Sequence, residues 1–397
     1  MGKRKKADEH PPPPPPRLAS VPSDLLPEIL SRVSYRSLCR FKCVSKAWLA
    51  LCSDPAVRRR SPQTLSGFFC HSFRDNASSR LDFINLSGRG RPLVDPSLRF
   101  VRGYKEVTPL HCCAGILICY CWKVDMDEVE YVVCNPATEE IWAVLTAPRN
   151  ALMKNLNTAR LCFDPAVPGR FKVFVFIHSF DRIISVEVYS SETGQWTSMQ
   201  SQWSPGTMVD DRDSRCVFFD GALHYATVPY MLNQDGELIH RMVTVDTEGK
   251  TWRRIAMPRD IGSSGFIGQS QGRLCATHMG HGNGYQLSVW VLEDYASGKW
   301  TLKHTASVLE LLGRPRHKPG EFYMLVAIHP ECNVIFLEDG VGPEKALMSY
   351  DMDNKKLQVI CSLRESQAWR FQPYIPCFVE RPSDASHLLS RHDSSAL

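Results

Sequence analysis

The sequence predicts an α+β multidomain protein, a small three-helix module followed by an all-β propeller-like domain of about six blades. Three observations carry that expectation. Apolar residues at helical spacing concentrate near the start, short β-rich runs fill most of the remainder, and within those runs a polar turn ending in tryptophan recurs about every 50 residues. A length of 397 residues fits two domains of the usual size of about 100 to 200 residues. With 43% hydrophobic and 22% charged residues, a mainly disordered, collagen-like or disulfide-knot chain is excluded.

Residues 1–19 join a basic run, Lys3 to Lys6, to six consecutive prolines, Pro11 to Pro16. That composition favours solvated polyproline II and reads as a disordered tail, in which the basic run is open to reading as an import signal or as a solubilising segment. Residues 381–397, rich in Ser, Asp and His, read as a second tail. Between them, residues 20–60 carry the helical module. Leu25, Leu26, Ile29, Leu30 and Val33 line one face of a first helix, capped by Ser23 or Asp24, with Pro27 close enough to its start to be accommodated. A second helix capped by Ser34 turns Leu38, Phe41 and Val44 inward, and Ser45 caps a third carrying Trp48 and Leu51. So short a module buries little apolar area and needs a partner, either the rest of the chain or another protein.

Residues 61–380 read as strands. The segments Asn135 to Trp142, Ser191 to Trp196, Asp246 to Trp252 and Ala296 to Trp300 share one grammar, each a polar turn preceded by a strand, and their tryptophans step by 54, 56 and 48 residues. A fifth unit around Asp351 to Leu357 keeps the turn with leucine in the aromatic position, and a degenerate first unit lies around Leu81 to Leu86. Each unit reads as a hairpin whose outer strand opens on a large side chain. Inner strands are expected where glycine precedes an apolar run, at Gly115 to Cys119, Gly221 to Tyr225 and Gly272 to Ala276. The apolar piece Ser307 to Leu312 has no assignment in this scheme.

The run from Val21 to Val33, followed by Ser37-Leu38 and by Val44-Ser45-Lys46-Ala47-Trp48, resembles an F-box, the adaptor-binding motif of Skp-cullin-F-box ubiquitin ligases. Val21, Val33 and Ser34 depart from the family's usual leucine, leucine and proline. The blade segments, among them Cys134 to Thr138, Leu161 to Pro165, Val188 to Thr193, Leu287 to Leu292 and Ile328 to Cys332, resemble the kelch-like F-box-associated domain of plant F-box proteins. The resemblance implies a non-catalytic receptor subunit that docks on a Skp-type adaptor, and through it on a cullin-RING ligase. It also implies that the second domain captures a target protein. Pro22, Leu25, Ile29, Leu30, Leu38, Val44 and Trp48 carry over as contact or module-core residues, and Arg32, Arg36, Arg40, Lys42 and Lys46 as charges that steer an acidic adaptor surface. An F-box scaffold acting outside ubiquitination and a propeller enzyme remain the other readings, the latter calling for titratable groups with displaced pKa values in a central channel.

Other chemistries are weighed against plain structural roles. Residues 1–60 hold 13 Lys and Arg against 5 Asp and Glu, and the remainder 34 against 37, so a basic head sits on a near-neutral body and a nucleic-acid groove is not expected. Fifteen cysteines without a secretory leader read as thiols of a cytoplasmic or nuclear protein. No apolar stretch approaches the roughly 18 residues of a membrane span, so no membrane partner is expected. Cys119 and Cys121, near Cys112 and Cys113, lack the second paired unit of a zinc site, and no metal or cofactor is expected. The glycines Gly262, Gly265, Gly268 and Gly272 lack the lysine of a phosphate loop, and His278 and His281 fall in a glycine-rich segment that reads as a loop.

Overall fold

A computed structural model of the chain describes residues 22, 25–33, 35–54, 57, 64–72, 80–123, 129–148, 158–165, 167, 169–179, 182–203, 208–209, 216–228, 241–258, 266–280, 285–314, 323–339, 345–363 and 368–379. The two expected tails, the caps Ser23, Asp24 and Ser34, and Gly262, Gly265 and His281 lie outside the described residues. The chain divides into two compact units, residues 1–62 and 63–397.

The first unit holds α1 (Leu25–Leu30), α2 (Tyr35–Phe41) and α3 (Lys46–Ser53). Pro27 sits in the first turn of α1, where its missing N–H costs nothing, and its carbonyl accepts from the Ser31 N–H at 2.9 Å. Ser45 caps α3 as its sequence position predicts, its Oγ accepting from the Trp48 N–H at 3.2 Å. Leu30, Leu38, Cys52 and Val57 form the core, with Val33, Phe41, Trp48 and Leu51 packed around it. Val44 was expected inward; it lies beyond the end of α2 in the turn before α3 and is 63% exposed.

The second unit is a six-bladed β-propeller. Its strands are β1 (Gly67–Ser72) and β2 (Arg80–Asn85); β3 (Tyr104–Cys113), β4 (Ile116–Lys123), β5 (Val129–Asn135) and β6 (Glu140–Thr146); β7 (Arg160–Phe163), β8 (Phe171–Ser179), β9 (Arg182–Ser190) and β10 (Gln195–Gln200); β11 (Met208–Val209), β12 (Cys216–Phe219), β13 (Ala222–Val228), β14 (Arg241–Asp246) and β15 (Trp252–Ala256); β16 (Phe266–Ser270), β17 (Arg273–Gly280), β18 (Gln286–Asp294) and β19 (Lys299–Ser307); β20 (Tyr323–Ile328), β21 (Val334–Asp339), β22 (Ala346–Asp351) and β23 (Lys356–Ser362); and β24 (Trp369–Tyr374). The Ser307 to Leu312 piece forms a short helix, α4 (Val308–Leu311), capped by Ser307.

Each blade is an antiparallel sheet, and the first blade is completed by the far end of the chain, in the order β2-β1-β24. Six apolar cores fill the gaps between consecutive blades, the last one joining the sixth blade back to the first. Because successive strand residues point to opposite faces, Ile116 and Ile118 enter the core shared with the third blade while Leu117, Cys119 and Cys121 enter the one shared with the first. Burial on both faces explains why this strand reads as a continuous apolar run.

The strands that carry the turn tryptophans, β6, β10, β15 and β19, are the outermost of their blades. Trp142 is fully buried against Phe163 of the next blade, ring centroids 5.2 Å apart. Four of the polar turns before outermost strands share a device: the last residue of the preceding strand accepts from the N–H two residues on, in Asn135 to Ala137 (3.0 Å), Asp246 to Glu248 (3.1 Å), Asp294 to Ala296 (2.9 Å) and, before β23, Asp351 to Asp353 (3.0 Å). One expectation is made more specific. The strands that follow Gly115, Gly221 and Gly272 are second strands, and the innermost strands β3, β12 and β16 come immediately before those glycines. The glycines belong to two-residue hairpin loops, Ala114-Gly115, Asp220-Gly221 and Gln271-Gly272, in which both residues have positive φ.

Candidate functional site

In the helical unit, the residues carried over from the resemblance separate into two sets. Leu30 and Leu38 are 1% and 0% exposed and build the module's core. Trp48 is half-buried, edge-on to Phe41 with centroids 5.5 Å apart. Pro22, Leu25, Ile29 and Val44 face solvent, Leu25 and Ile29 each at 48%. The pair Leu25 and Ile29 stands four residues apart, on one side of α1. Leu49, at 48%, joins the exposed apolar set and was not singled out in the sequence; its one signal there is a leucine directly after the inward Trp48. Of the steering charges, Arg32 pairs with Glu28 at 2.9 Å, and Arg40 and Lys46 are exposed. The Arg36 side chain lies outside the described residues.

In the propeller, the innermost strands β3, β7, β12, β16, β20 and β24 surround a central cavity of about 810 Å³. Residues just past the ends of those strands, Ala114, Asp164, Asp220, Gly272, Pro330 and Ile375, all line it. Two titratable groups in its wall have displaced pKa values. Burial, with Arg160 nearby, pushes the His111 imidazole down to about 3, and its Nδ1 accepts from the Leu161 N–H at 3.2 Å. Burial pushes the Cys113 thiol up to about 12, and its Sγ donates to the Phe163 carbonyl at 3.4 Å. The thiol is therefore held protonated, in the opposite direction to an activated nucleophile.

The cysteine group near Cys119 is likewise buried. The Cys119 thiol is raised first by its hydrogen bond with Cys134 and then by burial, and Cys121 is raised chiefly by burial. Among the described residues no cluster of three or more His, Cys, Asp or Glu is arranged to hold a metal. Gly268 lies in β16 and Gly272 in the loop after it, and His278 lies in β17. Arg253 of the Trp252-Arg253-Arg254 run is exposed and stacks over the Tyr295 ring at 5.6 Å.

Comparison with known proteins gives two family matches. The F-box domain model matches residues 18–60, and the F-box associated beta propeller domain model matches residues 73–370. The Arabidopsis thaliana F-box protein At5g07610 is 25% identical, covering 88% of this chain and 89% of its own. The Arabidopsis putative F-box/kelch-repeat protein At1g15680 is 24% identical over 86% of this chain and 83% of its own. Among solved structures, a chain from a study of two prolyl endopeptidases aligns with 87% of this chain and 53% of its own at a TM-score of 0.36 and 13% identity, a distance at which nothing about activity follows.

Proposed function

This chain belongs to the plant F-box proteins whose second domain is an F-box associated β-propeller, and from that premise we propose that it is the substrate-recognition subunit of a Skp-cullin-F-box ubiquitin ligase. Residues 20–60 dock on a Skp-type adaptor, and residues 61–380 hold a target protein near the transferred ubiquitin. Catalysis in such a complex is a matter of effective concentration, supplied by tethering and not by acid–base groups of this chain. The reading is supported above all by the exposed set Leu25, Ile29 and Val44 on a module whose own core is already filled by Leu30 and Leu38. Aliphatic side chains left in water on so small a unit contribute about 1.5 to 3 kcal/mol each when a partner covers them. The described cysteines are joined in no disulfide, which suits a cytoplasmic or nuclear setting.

The burial pattern selects the variant. Ile29→Asp with Val44→Asp places two charges on the exposed set and leaves the core intact, so co-purification with the adaptor should fall by about a hundredfold or more while the helical content stays unchanged. Undiminished co-purification with that variant would show that the docking face lies elsewhere. Leu30→Asp is the contrasting control, expected to unfold the module itself because its side chain is 1% exposed.

A further inference from the structure

The central cavity has a chemistry of its own. Five phenylalanines contribute to its wall: Phe218 and Phe219 are half-buried, whereas Phe163, Phe266 and Phe371 are buried in the cores between blades. Asp164 and Asp220 line it at the loop end, and no lysine or arginine of the described residues does. His111 adds no positive charge, because burial keeps its imidazole neutral. Gln372 also lines it and is 2% exposed; its Nε2 donates to the Pro109 carbonyl at 3.4 Å, while its Oε1 has no hydrogen-bond partner. A buried acceptor without a donor is costly, and it is satisfied when a ligand brings an N–H or O–H to it. The innermost strands also turn one backbone edge toward the cavity, a surface on which further peptide groups can pair.

We propose that this cavity receives a short basic segment of the target protein, with an apolar or aromatic side chain packed against Phe218 and Phe219 and an adjacent Lys or Arg held by Asp164 and Asp220. Gln372 Oε1 accepts a hydrogen bond from the inserted segment. Two acidic groups beside a partly apolar lining suit a cation on a long aliphatic stem, its charge drawn to the carboxylates and its methylenes packed on the wall. This deepens the receptor reading and rests on it, since it names the class of target segment that the propeller holds.

The test uses the full chain bound to a Skp-type adaptor and a fluorescein-labelled heptapeptide with phenylalanine at its centre and lysine on both sides. Fluorescence anisotropy should show this peptide binding about tenfold or more tightly than the same peptide with glutamate in place of both lysines, and the preference should shrink as salt is raised. The double variant Asp164→Asn, Asp220→Asn should bring the two peptides to within about threefold of each other, because it removes the charge and keeps the side-chain shape. Asparagine tolerates the positive φ of 47° at Asp220, so that loop is retained. Equal binding of the two peptides to the parent protein, or a preference unchanged in the variant, overturns the proposal. So does a tenfold gain in affinity on deleting residues 1–19, which would show the cavity to be the seat of the chain's own basic tail. Retention of the adaptor in the same samples reports the docking reading separately, so a failure at the cavity is distinguishable from a failure of the receptor assignment.

Discussion

Two histidines show how burial sets both chemistry and pH response in this propeller. His111 is 5% exposed and His224 is 0% exposed, and burial is the first cause that pushes them down, to about 3 and about 4. Both rings serve as fixed hydrogen-bond partners: His111 accepts from Leu161, and His224 sits between the Ala222 carbonyl at 3.1 Å and the Tyr295 hydroxyl at 2.9 Å. An unfolded chain takes up these protons near the ordinary value of about 6.5. Their contribution is therefore fully present above that pH and is lost as pH falls toward 4 and then 3. Between pH 7 and pH 5 the two should remove roughly 3 to 4 kcal/mol of stability, and His111→Gln should lose about half of that fall. Urea melts at the two pH values measure it. A variant whose pH dependence matches the parent would mean that His111 is protonated in the folded protein.

The hairpin loops show how one local signal serves different packing. Gly115 and Gly221 occupy the same place in consecutive-strand loops, at φ of +86° and +70°. A Cβ at Gly115 would stand 2.1 Å from the Ile375 carbonyl, beyond the end of the closing strand, whereas at Gly221 nothing lies within 4 Å. Gly221→Ala should thus cost only the left-handed backbone penalty of about 1 to 2 kcal/mol. Gly115→Ala adds a clash with backbone, for a total of about 3 kcal/mol or more. Denaturation midpoints compared between the two variants decide this; equal losses would place Ile375 farther from the loop. The same glycines mark inner strands without saying which is innermost, because a glycine before an apolar run marks a hairpin loop and carries no information about which of its two strands faces the axis. The turns before the outer strands were legible for a firmer reason. An Asn or Asp that accepts its own backbone N–H two residues on is a local device, written in adjacent residues.

At the scale of the molecule, ring closure depends on β24. It pairs with β1, and its residues share apolar cores with the second and sixth blades through Tyr374 and Phe371. A chain ending at residue 368 leaves the first blade without its inner strand and opens both cores, so it should lose cooperative unfolding, the total stability of a folded domain being only about 5 to 15 kcal/mol. A thermal melt as sharp as that of the whole chain would contradict closure by this strand. The helical module followed by strands, the near-50-residue repeat, the Ser45 cap, the turns and the apolar residues of the module could all be read along the chain, since each depends on spacing within one segment. It took the folded chain to show that Leu30 and Leu38 turn inward while Leu25, Ile29 and Val44 stay in water, which strands face the axis, and that two aspartates and a glutamine with an unpaired carbonyl line one cavity. Those facts depend on residues hundreds of positions apart being brought together by a closed ring, and no periodicity records which side of a strand will find a neighbour.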